Sequence, residues 1–227
     1  MKIVMLTGAG ISAESGLKTF RDAGGLWEGH AIEDVATPQA FERNPDLVLE
    51  FYNQRRRQLL EVQPNGAHRA ITELAKRHEV KVVTQNVDDL HERAGNNSVL
   101  HLHGELLSVR STGYPSLKYR WNKDLIIGDL CSRGHQLRPD IVWFGEAVPL
   151  MDQATDWVEE ADVVIIVGTS MLVYPAAGLI YSASSNVPIY YIDPNPGNIS
   201  GFSRRRSITT IKENAQRGME KILEILM

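Results

Sequence analysis

Lys2-Ile3-Val4-Met5-Leu6-Thr7-Gly8-Ala9-Gly10-Ile11-Ser12-Ala13-Glu14-Ser15-Gly16 is the stretch on which the reading of the fold turns. Residues 2–7 read as a buried strand, and Gly8-Ala9-Gly10 ends it. At a strand-to-helix turn, small residues let the backbone approach a pyrophosphate. The helix N-terminus then offers unpaired N–H groups and the positive end of its dipole. Gly8 and Gly10 suit such a turn, and Ser12 can donate a hydrogen bond. The glycine spacing is not a clean dinucleotide fingerprint, and glycine pairs after strands also serve as plain turns. On this stretch alone, nucleotide binding and a plain turn are equal alternatives.

The same rhythm of strand and helix continues along the chain. Val80 to Thr84, Val99 to Leu102, Asp162 to Val167 and Ile189 to Ile192 read as strands. The run ended by Gly168 is the strongest of them. Asp46 to Val62 reads as a helix, with Leu47, Phe51, Leu59 and Leu60 among its apolar positions. Asn65 caps a second helix to about Arg77. Tyr174 to about Ser184, with Pro175 in its first turn, and Glu213 to Leu226 complete the helices. Continuous apolar strands separated by helices predict parallel strands covered on both faces, hence a doubly wound, Rossmann-like α/β fold. Residues from about 106 to 136 break the rhythm, with Gly113, Tyr114, Pro115, Trp121, Gly128 and Gly134. They read as a small insert within one domain spanning residues 1–227.

Composition narrows the function classes. The 227 residues are 43% hydrophobic and 23% charged, ordinary for a globular domain with one core. A net charge of −4 gives no global reason to bind nucleic acid or a membrane surface. The run Arg204-Arg205-Arg206 reads as a solvated loop. A single cysteine, Cys131, cannot form an internal disulfide, which points to a reducing cytoplasm. The apolar run Ile3 to Leu6 is too short for a signal peptide, and no run reaches the roughly 20 residues of a membrane span.

Two polar constellations follow strands. Thr84-Gln85-Asn86-Val87-Asp88-Asp89-Leu90-His91 opens a helix where the carboxyl ends of parallel strands face a ligand crevice. Capping needs only one of Asn86 and Asp88, so three polar groups with Gln85 favour a site. His101-Leu102-His103-Gly104 places two histidines on one strand face if the strand persists. His103, beside a glycine, can reach a ligand and act as a general base, whereas His101 reads as a satisfied core histidine. Metal binding by the pair is the rival, with no third ligand nearby.

The glycine loop continues as Ser15-Gly16-Leu17-Lys18-Thr19-Phe20-Arg21-Asp22, which a plain turn does not need. Here the sequence resembles the sirtuin family, whose cofactor loop reads GAG-x-S-x-x-S-G-I-P-x-F-R. The resemblance extends through the TQN-x-D-x-L-H stretch at Thr84 to His91 and the His103-Gly104 pair. It goes on through Arg138-Pro139, Val142-Trp143-Phe144-Gly145-Glu146, Gly168-Thr169-Ser170 and Val173-Tyr174-Pro175-Ala176-Ala177, all in family order. The chain departs from the family at Leu17-Lys18, where Ile-Pro is usual.

The resemblance implies an enzyme that consumes NAD to deacylate protein lysine, releasing nicotinamide and 2′-O-acyl-ADP-ribose. His103 would be the base, with Asn86 and Asp88 holding the carboxamide that leaves. NAD would be bound by Gly8, Ala9, Gly10, Ser12, Ala13, Phe20, Arg21 and Trp27, by Gln85, Asn86, Val87 and Asp88, and by Gly168, Thr169 and Ser170. Asp193, Pro194, Asn195 and Ala215 would receive its adenosine half; the family more often has asparagine at 193. Val142, Trp143, Phe144 and Gly145 would line the acyl-lysine tunnel, with backbone edges pairing the peptide. The substrates would be acyl-lysine proteins or peptides, with no nucleic acid or membrane partner and a monomer favoured.

Tyr52 and Arg55, three apart on one helix face, can clamp a carboxylate. Within the family this pair resembles the class III branch, which removes succinyl, malonyl or glutaryl groups. Arg56 and Arg57 are expected to face solvent. Most sirtuins bind a structural zinc through two Cys-x-x-Cys pairs, and such a site needs four ligands. This chain offers Cys131, with His135 four residues on and Ser111 near where a first cysteine would fall. No zinc is expected, and the insert should be held by Leu106, Tyr119, Trp121, Leu125 and Ile126 instead. The rival functions are a mono-ADP-ribosyltransferase on the same fold, a non-catalytic NAD sensor and a hydride-transferring dehydrogenase. The Tyr52/Arg55 pair counts against the first and an intact His103 against the second. The glycine spacing and the lack of a dehydrogenase-like acid-base set count against the third.

Overall fold

Lys2–Thr7 (β1) forms the middle of a parallel sheet because it is apolar on both faces. Ile3 and Met5 pack against Ile71, Leu74, Met219 and Ile222, while Val4 and Leu6 pack against Val158, Leu179 and Ile180 on the opposite side. The computed structural model describes residues 1–18, 29–197 and 207–227. Glu79–Thr84 (β2) and Val99–His101 (β3) extend the sheet on one side of β1. Gly104–Ser111 (β4), Lys118–Arg120 (β5) and Leu137–Ile141 (β6) form a separate antiparallel sheet in the order β5-β4-β6. Val163–Val167 (β7), Ile189–Ile192 (β8) and Ile208–Ile211 (β9) return to the main sheet, giving the order β3-β2-β1-β7-β8-β9. Every pairing in that sheet is parallel, as expected for a doubly wound Rossmann-like fold.

The helices among the described residues are Ile32–Val35 (α1), Pro38–Arg43 (α2), Pro45–Glu61 (α3), Gly66–Leu74 (α4), Leu90–Arg93 (α5), Met151–Glu159 (α6) and Ala215–Leu226 (α7). Asn44, Asn65 and Asn214 cap α3, α4 and α7 by accepting backbone N–H groups. No helix of the described residues is long and apolar enough to cross a membrane. The segment after β7 differs from the expected α-helix: Ala176–Ser182 winds as a 3-10 helix, with Gly178 N–H donating to Pro175 O. Pro175 and Gly178 are both poor helix formers, which disfavours a regular α-turn here. The strand β9 escapes the sequence pattern because only Ile211 of its four residues is fully buried. The helices α1, α2 and α6 are short and bury one or two residues each, too few to set a period.

Strand order reverses between β1 and β7, and the loops leaving these two strands meet. Gly8 N–H donates to Val167 O (3.1 Å), and Gly10 N–H to Gly168 O (2.8 Å). A Cβ on Gly10 would lie 2.6 Å from Gly168 Cα, and Gly168 itself has φ +62°. The glycines therefore serve the close passage of two chains as well as any ligand.

Two expectations about individual side chains are corrected. Arg56 does not face solvent. It is 1% exposed, donating from Nε to Leu106 O (3.1 Å) and from Nη1 to Asn53 Oδ1 (2.7 Å), so it ties α3 to the small sheet. Burial lowers its pKa to about 10, which leaves it charged at neutral pH. Ile126 does not hold the small sheet; it is 60% exposed, while Leu125 is fully buried against Val109 and Leu137 with Tyr119 and Trp121 packed on. Arg57 faces solvent, pairing with Glu50 and Asp124.

Beneath the sheet lies an acid-sensitive pair. His68 Nδ1 accepts from Asn65 N–H in the α4 capping box, and its ring lies 4.9 Å from that of His91, whose Nε2 meets Thr7 Oγ1. Burial lowers the His68 pKa to about 4 and that of His91 well below the usual histidine value. Both bind protons more readily when unfolded, so their stability contribution is complete above pH 6.5 and is lost as pH falls. Unfolding free energy from urea titration should drop by about 2 kcal/mol between pH 7 and pH 5 on account of His68 alone. A flat profile over that range would contradict neutral burial.

Candidate active site

The carboxyl ends of β1, β2 and β7 open into a cavity of about 630 Å³, within the usual range for small-molecule sites. The small sheet and α3 close its other side. On the strand side it is lined by Gly8, Ala9, Gly10, Ser12 and Ala13 after β1, by Gln85, Asn86, Val87 and Asp88 after β2, and by Gly168, Thr169 and Ser170 after β7. Asp193, Pro194 and Asn195 after β8, and Ala215 at the start of α7, line it as well. Tyr52 and Arg55 of α3, Val142, Trp143, Phe144 and Gly145 after β6, and His103 after β3 border the same cavity. The expected residues Phe20, Arg21 and Trp27, like Arg204 to Arg206, lie outside the described residues. Sequence reading missed Lys18, Gln58, Val148 and Asn214 on the lining. Asn214 was hidden because the sequence pattern starts the last helix at Glu213, whereas the structure starts it at Ala215 with Asn214 as its cap.

The polar loops cross-brace one another. Ser12 Oγ donates to Asp88 Oδ2 (2.9 Å) and accepts from Asn86 Nδ2 (3.2 Å), so it joins two loops and its proton is directed at a carboxylate. Asp88 Oδ1 also accepts Leu90 N–H (3.1 Å), the first N–H of α5, although the N-cap position itself is Asp89, whose side chain makes no capping bond. Burial pushes the Asp88 carboxyl up, against the lowering by these hydrogen bonds. Gln85 Nε2 donates to Thr169 Oγ1 (3.1 Å), bridging the β2 and β7 loops.

The two histidines separate. β3 ends at His101, so His103 lies beyond the strand, just before Gly104. His101 is buried with both ring nitrogens engaged, by Asn86 O (3.0 Å) and Glu92 Oε1 (2.7 Å). Burial opposes its charge most strongly, but Glu92, Asn86 O and Glu105 together outweigh it and raise the pKa. His103 Nδ1 lies 3.0 Å from Gln85 O, which can only accept, so the proton of the neutral ring resides on Nδ1 and Nε2 is the basic atom. Burial lowers the His103 pKa, partly offset by that carbonyl. Gly104 follows at φ +84°, where a Cβ would meet Asp140 O at 2.0 Å, so the glycine seats this turn against β6.

On the opposite wall, Trp143 Nε1 donates to Tyr52 Oη (3.0 Å). Burial keeps the Tyr52 phenol protonated. The Arg55 guanidinium lies 3.3 Å from the Phe51 ring centre and donates to Phe51 O. Tyr52 is fully buried, just under the surface of the cavity that His103 and the partly exposed Arg55 also border.

In the small sheet, Ser111 Oγ donates to buried Cys131 Sγ (3.2 Å), so serine stands directly beside the one thiol. The His135 ring packs on Tyr114, 5.2 Å between centres. Among the described residues, no group of three or more His, Cys, Asp or Glu is placed to hold a metal ion. Elemental analysis of the purified protein should find no stoichiometric zinc, and a chelator should leave the fold and activity unchanged. One zinc per chain would overturn that expectation.

The Sir2 family model matches residues 8–175. A relative from Helicobacter pylori strain J99, called an NAD-dependent protein deacylase, is 57% identical over 99% of this chain and 95% of its own length. The crystal structure of a Sir2 homolog–NAD complex is 37% identical, with a TM-score of 0.83 over 99% of this chain and 88% of that one. A Sir2 protein bound to acetylated peptide is 26% identical, with a TM-score of 0.79 over 98% of this chain and 92% of that one. With a family match across most of its length and relatives matched nearly end to end, the chain belongs to the Sir2, or sirtuin, family.

Proposed function

We propose that this chain is an NAD-dependent protein-lysine deacylase that removes acyl groups ending in a carboxylate, such as succinyl and malonyl, as well as acetyl. The observation that carries the reading is the single cavity lined both by the glycine loops with His103 and by Tyr52 with Arg55. The residues present fit NAD. Gly8 and Gly10 bring bare backbone to the cavity after β1, and Asp193 and Ala215 line the same cavity, which is bordered by the loops after four strands. When bound, NAD supplies the ADP-ribosyl group that accepts the acyl chain, so the products are free lysine, nicotinamide and 2′-O-acyl-ADP-ribose. Asn86 orients the carboxamide end, with Asp88 holding the loop through Ser12. His103 takes a proton at Nε2 from a ribose hydroxyl, while Gln85 O holds its Nδ1–H and fixes the ring. Trp143 and Val142 shape the acyl channel, and Arg55 pairs the acyl carboxylate.

The H. pylori relative's name and the acetylated-peptide complex support acyl-lysine proteins as substrates. A reducing cytoplasm is the compartment that the lone cysteine favours. Incubation with NAD and matched succinyl-lysine and acetyl-lysine peptides tests the function. Mass spectrometry should find deacylated peptide and 2′-O-acyl-ADP-ribose. ADP-ribose attached to protein with no deacylated peptide would favour the transferase reading and overturn this one.

A further inference from the structure

Beside Tyr52 lies a cluster of charges with no place in the chemistry above, one member of which, Glu146, borders the cavity itself. Arg138 and Glu146 form a bidentate pair, Nη1 to Oε1 at 2.7 Å and Nη2 to Oε2 at 3.0 Å. Glu146 Oε2 also accepts the backbone N–H of Trp143 (2.8 Å), and Arg110 joins the same carboxylate at 3.1 Å. Arg138 Nη2 donates to Ile141 O (2.9 Å), fixing the guanidinium further. Its Cζ lies 3.3 Å from the centre of the Trp143 ring, and its Nε is buried without a hydrogen-bond partner. Trp143 is 2% exposed, and the far edge of its indole donates Nε1–H to Tyr52 Oη. A buried salt bridge is poor evidence for stability, because desolvation offsets its Coulomb gain. This one is aimed at a single aromatic ring, and that ring touches one residue of the acyl wall.

We propose that Arg138 and Trp143 form a positioning relay that makes Tyr52 selective for an acyl carboxylate. The inference rests on the acidic-acyl reading above. An indole N–H can only donate, so the Tyr52 oxygen is the acceptor in that bond and the phenol proton is turned away from Trp143. A cation on the face of the indole draws electron density from it and strengthens N–H donation. A phenol that accepts a stronger hydrogen bond in turn donates a stronger one, because bonds in a chain polarise one another. Glu146 holds both ends of the device, gripping the guanidinium by its carboxylate and the Trp143 backbone by the same group. Acetyl offers no carboxylate to a polarised phenol, so the relay acts on the ratio between acyl groups. Mere support of the channel wall would affect all acyl groups alike.

The test is the ratio of kcat/KM on succinyl-lysine to that on acetyl-lysine, measured in wild type, Trp143→Phe, Arg138→Lys, Tyr52→Phe and the Trp143→Phe/Tyr52→Phe double variant. Phenylalanine keeps a ring but removes the N–H donor. Lysine keeps the charge but loses the planar guanidinium. Loss of one hydrogen bond predicts a three- to tenfold fall in the ratio for Trp143→Phe, and a smaller fall for Arg138→Lys. In the Tyr52→Phe background, Trp143→Phe should leave the ratio unchanged, because the relay then has no receiver. An unchanged ratio in Trp143→Phe, or an equal fall with and without Tyr52, would overturn the relay while the acidic-acyl reading stands. Absence of any succinyl preference in wild type would overturn that reading and the relay with it.

Discussion

His103→Ala will lower kcat on an acyl-lysine peptide by about 10²–10⁴-fold, the usual contribution of a placed general base, and will leave NAD binding within about threefold of wild type. The ring is set by a contact that does not involve NAD: Gln85 O accepts a hydrogen bond from Nδ1–H, which leaves Nε2 as the basic atom. The loops that would hold NAD are braced without it, through Ser12 to Asp88 and Gln85 to Thr169. Removing the imidazole therefore takes away the proton acceptor and little of the binding surface. The same geometry gives a pH profile. Burial lowers the His103 pKa below its ordinary 6.5, so the base is neutral over the whole neutral range. Protonation removes the lone pair, so kcat/KM should fall only on the acid side, with its midpoint below pH 6.5. Single-turnover assays and calorimetric NAD titration check both parts. Turnover in His103→Ala within a few fold of wild type would remove His103 from the base role.

The central strands were legible because β1, β7 and β8 are continuous apolar runs, and only a sheet covered on both faces asks for that pattern. Ile208 to Ile211 was not, because a Thr-Thr centre with exposed side chains has neither a buried run nor alternation. The site residues were legible for a related reason: they follow directly after strands, where the fold turns polar side chains toward one crevice. What spacing cannot convey is which polar groups answer one another. Ser12 looked like a ligand donor, yet its proton goes to Asp88, seventy-six residues away in sequence. Arg55, Arg56 and Arg57 are three identical side chains in a row, and only the docking of α3 on the small sheet sends one to the cavity, one inward and one to water. Helix periodicity predicts that consecutive residues point apart, but it does not say which of them meets Leu106 O.

Arg55→Met will cost roughly tenfold to a hundredfold in kcat/KM on succinyl-lysine and far less on acetyl-lysine. A carboxylate brought to the end of a largely apolar channel must be paired, or its desolvation opposes binding. Arg55 lines that channel with its guanidinium held against Phe51 by a ring contact and a bond to Phe51 O, so little rotamer freedom remains to be lost when an anion arrives. Hydrogen bonds to charged groups contribute about 1.5–3 kcal/mol each, and 1.4 kcal/mol is about tenfold, which sets the range. Methionine matches much of the length and apolar contact of the arginine stem, so the change isolates the charge. Tyr52→Phe should act in the same direction but less, because a neutral phenol contributes a weaker bond than a guanidinium. The competing account is that Arg55 stabilises α3 through its bond to Phe51 O. That account predicts a lower unfolding midpoint and equal losses on both peptides. The two are separated by measuring kcat/KM on succinyl- and acetyl-lysine for wild type, Arg55→Met and Tyr52→Phe alongside thermal unfolding. A selective loss on succinyl-lysine with an unchanged midpoint assigns Arg55 to the acyl carboxylate, and equal losses assign it to the fold.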